Sequence, residues 1–160
     1  LISNRTFEDT SKWYHIVLRV DTTQSTASNR VRLYADGDQI TSFATENYPS
    51  QNVDTDFNST GTIAVSGQIP SGTLYPFDGY LAEIVVLDGS GSYTDVGELK
   101  NGVWIPKDPS GLTFGNNGYY LKFANASSLG ADSSGNSNDF SSSGMGTDHQ
   151  VIDTPTFTAP

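Results

Sequence analysis

The 160-residue chain is long enough for one domain with its own hydrophobic core. Its 8 Lys+Arg against 18 Asp+Glu give a formal net charge of −10, which repels phosphate backbones and anionic membranes and argues against nucleic-acid binding. The absence of cysteine excludes disulfides, zinc-thiolate sites and cysteine nucleophiles, and no stretch approaches the ~20 apolar residues that span a bilayer, so no membrane insertion is expected.

No basic-then-apolar signal segment stands at the start, and the chain opens on Leu1-Ile2-Ser3 with no initiator Met, which reads as a fragment or a processed product. Gly, Ser, Thr, Asn and Asp dominate the polar residues, and charged residues make up only 16%. Long exposed helices need more Glu, Lys and Arg than that, so the composition points to strands.

The first firm strand is expected over Trp13–Asp21. Tyr14, Ile16, Leu18 and Val20 alternate with Trp13, His15, Val17 and Arg19, so the first, uniformly apolar set should face the core. His15 then falls on the more polar face as a packed surface histidine. A polar loop over Thr22–Asn29 leads to a second strand, Arg30–Ala35. Asp36-Gly37 predicts a tight hairpin turn, because both positions tolerate positive φ, and Gln39–Phe43 is the return strand.

From Ala44 to Gly61 the chain is long and polar, with Tyr48, Val53 and Phe57 as its apolar anchors; a loop of such length is usually functional or partly mobile. Thr62–Ser66 reads as a short strand before the Gly/Pro-bearing loop Gly67–Pro76. Gly79–Asp88 is apolar on both faces and should lie centrally in one sheet, covered on both sides. Beyond Gly89, Tyr93–Glu98 predicts one helical turn capped by Ser92 or Thr94, and Val103–Ile105 and Tyr119–Phe123 predict short strands. The Asp132–Asp139 run reads as a network of Asx turns holding an irregular loop. Short strands between turn clusters make the expected fold all-β, an antiparallel β-sandwich.

Catalytic chemistry finds little support. General acid/base work on a glycan needs two carboxylates at a defined separation. Glu83 and Asp88 lie five residues apart, on opposite faces of the predicted strand, and Glu83 reads as a buried, hydrogen-bonded structural carboxylate. No Gly-x-Ser-x-Gly elbow or paired-His metal motif occurs. The expectation is therefore that the chain is not an enzyme.

Binding chemistry has better material. Tyr48–Phe57 mixes aromatics, amides and carboxylates, with Tyr48, Gln51, Asn52, Asp54 and Asp56 as candidate ligand-binding residues, and Tyr75 adds a second aromatic loop. The competing reading makes Tyr48, Tyr75 and Phe77 anchors that cover the rim. Asp54 and Asp56 are spaced to place two oxygens on one loop, the chemistry Ca²⁺ requires, and are the candidate metal ligands; Asp36 and Asp38 fit a hairpin turn better. Three Asn-x-Ser/Thr sites, at Asn4, Asn58 and Asn125, arise easily by chance in so Ser- and Thr-rich a chain.

Three stretches together resemble the laminin-G-like, concanavalin-A-like lectin-glucanase superfamily: Ser11–Asp21 with its Trp13-Tyr14-His15-Ile16, Arg30–Gly37 with its Leu33-Tyr34-Ala35-Asp36-Gly37, and Phe77–Gly89. The resemblance implies a jelly-roll sandwich, spans about residues 10–100, and is incomplete at the N-terminus, because strands that should precede Trp13 are almost absent. Asn101–Lys107, Asn117–Phe123 and Leu129–Phe140 further resemble domains of tailed-phage structural and tail-fibre proteins, marine phages and cyanophages above all. The expected organisation is a laminin-G-like sandwich over 1–100, late strands over 101–146 that complete it or open a second similar unit, and an extended tail over 147–160. The resemblance implies a non-catalytic module on a virion surface or in an extracellular setting. Its partner would be a glycan or cell-surface receptor, or else neighbouring structural domains or copies of itself in a fibre or capsid decoration.

Overall fold

The structure, a computed structural model, describes residues 1–55, 63–65, 77–89 and 91–151. Among them the fold is all-β: short antiparallel strands and brief 3-10 turns, with no α-helix. Strands β2 (Ile16–Val20), β3 (Val31–Ala35) and β4 (Asp38–Ile40) form a three-stranded sheet in that order, and β1 (Ile2–Ser3) pairs with β5 (Phe43–Thr45). Further along, β6 (Ile84–Val86) pairs with β9 (Tyr119–Leu121), and β7 (Gly97–Lys100) pairs with β8 (Val103–Pro106).

Turn chemistry explains both tight hairpins. Asp36-Gly37 joins β3 to β4 with φ of 53° and 85°, as a primed turn demands. Asn101-Gly102 joins β7 to β8 in the same way, with φ of 52° and 80°. Within the 93–98 stretch, only Tyr93–Asp95 turns helically; Ser92 caps it and Asp95 closes the capping box, while Glu98 belongs to β7.

The face assignment of the first strand is reversed. Ile16 and Leu18 are each 48% exposed and Val20 37%, whereas His15, Val17 and Arg19 are half-buried. The cause is the β7–β8 hairpin, which packs on the His15 side. Trp104 donates its indole N–H to Nδ1 of His15 at 2.8 Å, and its ring stacks on His15 and on Tyr93. Tyr93 stacks in turn on Tyr34 at 4.3 Å. On the apolar face itself, Ala35 opposite Ile16 and Ile40 opposite Leu33 are buried among the described residues.

The long apolar strand is also cut down. Of Gly79–Asp88 only Ile84–Val86 is strand, and among the described residues it has one partner, β9, and is not central; Tyr80 is 68% exposed. Residues 63–65 of the expected Thr62–Ser66 strand form none, and its two ends lie outside the described residues. The tightest packing lies instead around β9, where Tyr119, Tyr120 and Leu121 are all buried together with Phe114 and Leu129.

Trp104 fits because Gly37 and Gly97 carry no side chain: a Cβ at either would overlap the indole. Substituting Gly97→Ala, at a position with ordinary φ, is expected to cost about 1–3 kcal/mol by forcing the ring aside. Urea unfolding followed by tryptophan fluorescence checks this, and an unchanged midpoint would mean that the ring moves freely.

Candidate functional site

The strongest organised surface lies where the β2–β3 loop meets residues 46–54. Asp21 builds the loop. Its Oδ1 accepts from the backbone N–H and hydroxyl of Thr23, and its Oδ2 from Gln24 at 2.7 Å and Arg19 at 3.0 Å. The Thr23 and Gln24 side-chain hydrogen bonds lead in holding its carboxyl down at about 2.

Arg30 closes the loop and fastens the second segment to it. Its Nε donates to Gln24 O at 2.8 Å, Nη2 to Ser25 O at 3.0 Å, and Nη1 to Pro49 O at 2.8 Å. Two more bonds lace the segments together: Gln51 Nε2 donates to Thr23 O at 3.1 Å, and Asn52 N to Thr22 O at 2.8 Å. Asn52 takes φ of 59°, a left-handed conformation that Asn tolerates better than most residues.

Of the residues singled out in the sequence, Gln51 and Asn52 thus sit together on this rim, both exposed. Tyr48 is half-buried and donates its hydroxyl to Glu46 at 3.0 Å, while Asp54 is exposed. Asp56 and Tyr75 lie outside the described residues. Among the described residues no group of three or more His, Asp or Glu gathers as a metal-binding cluster. Arg30 was not foreseen; an arginine opening a strand directly after a polar loop was the available signal.

The carboxylates weighed as catalytic have structural partners. Glu83 is exposed, against the expectation of burial, because β6 begins only at Ile84; it still accepts from the Tyr120 hydroxyl at 2.7 Å. Burial first, and then Glu83, raise the Tyr120 phenol well above the usual range. Asp88 accepts from both the backbone and side-chain nitrogens of Asn117 at 3.0 Å. Two shallow grooves, of about 380 and 330 Å³, are lined respectively by the β7–β8 hairpin with Lys107 and Asp108 and by Asn4, Arg5 and residues 39–42.

The Asp132–Asp139 run is indeed a hydrogen-bonded loop. Asp132 Oδ1 accepts from Tyr120 N and Ser134 N, each at 2.8 Å, and Oδ2 from Ser134 Oγ at 2.7 Å and Asn138 N at 3.0 Å. Burial opposes its ionisation, but these donors outweigh burial and hold the pKa below the usual 3.8. Its contribution to stability is therefore present above pH 3.8 and lost as pH falls through the lower folded value. Asp132→Asn should cost about 1–3 kcal/mol at neutral pH, with the gap to wild type narrowing below pH 3.8. Urea midpoints measured across that range test this; a gap independent of pH would mean that the ionised carboxylate does not support the loop.

Compared with known proteins, the chain matches no family model, no curated protein and no solved structure.

Proposed function

We propose that the chain is a non-catalytic surface-binding module of concanavalin-A-like jelly-roll type, recognising a glycan or receptor from a phage tail fibre or virion surface. The observation that carries this reading is the lacing of residues 21–30 to residues 46–52 by Arg30, Gln51 and Asn52. A rim ordered before binding loses less conformational entropy when it meets a ligand. Its exposed amides and carboxylates suit hydroxyl-rich partners. The engagement of Glu83 by Tyr120 and of Asp88 by Asn117 supports binding over hydrolysis. The phage setting rests on the resemblance of Asn101–Lys107, Asn117–Phe123 and Leu129–Phe140 to domains of such particles.

A second reading is favoured by one feature. Among the described residues strand β2 is an edge strand, and it bears the exposed row Ile16, Leu18 and Val20, a surface suited to packing against another structural domain or a copy of the chain. The module would then build a fibre or decorate a capsid.

A glycan array, run with and without chelator, separates the two. Surface recognition predicts binding that Arg30→Met weakens by loosening the rim, and a calcium ion at Asp54 and Asp56 would make that binding sensitive to chelator. Complete silence under both conditions, with a multimer in solution that Leu18→Lys dissociates, would replace recognition by assembly.

A further inference from the structure

The sheet face that carries His15 and Tyr34 also carries two arginines side by side. Antiparallel register sets Arg19 opposite Arg32, so their Cβ atoms lie about 4.5–5.5 Å apart. Like charges so placed repel, and the chain offers them little compensation. Arg19 pairs with Asp21 at 3.0 Å, but that carboxylate is already engaged by Thr23 and Gln24. Arg32 meets no carboxylate among the described residues. Its Nη2 donates to the neutral amide oxygen of Asn29 at 2.9 Å, and its buried Nε has no acceptor. Arg30, at the same end of the sheet, directs its guanidinium to three backbone carbonyls. Three of the eight cationic residues of this acidic chain, Arg19, Arg30 and Arg32, thus lie at this end of the sheet, whereas Arg5 and Lys12 pair with Asp36 at the other.

Aromatic surface adjoins the pair. One step along the same face Val17 lies opposite Tyr34, whose ring stacks on Tyr93. Tyr93 and Trp104 are both half-exposed. A guanidinium is a planar fork matched to a carboxylate, and two facing forks without a full set of acidic partners make an anion site.

The geometry points to Arg19 and Arg32 as the site for the carboxylate of an acidic saccharide, with the half-exposed Tyr93 ring flanking the sugar. This rests on the surface-binding reading and names its ligand class. An acidic peptide could supply carboxylates too, but the adjoining ring favours a ligand whose charge is fixed to a flat, rigid ring.

Calorimetry on wild type, Arg19→Gln and Arg32→Gln, using oligogalacturonate, sialyllactose, a neutral oligosaccharide and polyglutamate, tests the assignment. At least one of the two acidic saccharides should bind, more weakly as salt rises. Either substitution should weaken that binding by at least roughly tenfold, about 1.4 kcal/mol. Because the unliganded pair repels, Arg32→Gln should leave the Tm unchanged or raise it. A clear fall in Tm would make Arg32 structural and overturn the assignment. Polyglutamate binding in place of the acidic saccharides would overturn it in favour of a peptide. Neutral saccharide binding indifferent to both substitutions would overturn it and leave surface recognition standing, whereas silence towards every probe would remove both.

Discussion

Trp104 donates its indole N–H to His15 across 89 positions of sequence, and much of the described fold depends on that contact. The ring fills a slot left open by Gly37 and Gly97, one on the β3–β4 turn and the other on β7. Its stacking on Tyr93, and that of Tyr93 on Tyr34, continues the contact into the buried face of the sheet. Nδ1 of His15 must be unprotonated to accept this bond. Burial favours that state by lowering the His15 pKa, despite the opposing influence of Asp36. A depressed value means stability that is full above the ordinary 6.5 and diminishes as pH falls through the folded pKa.

Once the hairpin occupies the His15 face, the rest of the partition follows. Val17, Arg19, Arg32 and Tyr34 share that face, while Ile16, Leu18 and Val20 turn outward. An ion pair also steadies the arrangement: Asp36 accepts from Lys12 at 2.8 Å, and it accepts from the backbone N–H of His15 at 3.0 Å. Burial resists ionisation of Asp36, and those two donors outweigh it. The paired arginines and the aromatic wedge therefore meet the same face of the β2–β3–β4 sheet.

Local rules were legible in the sequence and long-range packing was not. Asp36-Gly37 declared its hairpin because turn chemistry is a property of two residues. The Asn101-Gly102 hairpin carried an equally strong signal, yet the helical turn expected through Glu98 hid its first strand. The Asx network at Asp132 was visible because its donors lie within a few residues of the carboxylate. The direction of the first strand was misread because alternation shows that two faces differ, not which one is covered. That choice was made by Trp104, distant in sequence. Arg30 escaped notice for a similar reason, since its acceptors are backbone carbonyls that composition does not reveal.

Hydrogen exchange at the Trp104 indole N–H, followed by NMR, tests the role of this wedge most directly. The bond to His15 and the slot between the two glycines predict strong protection at neutral pH. That protection should fall as pH drops below 6.5 and be lost in His15→Ala while the amides of β9 stay protected. Exchange as fast as that of a free indole at neutral pH would contradict the account.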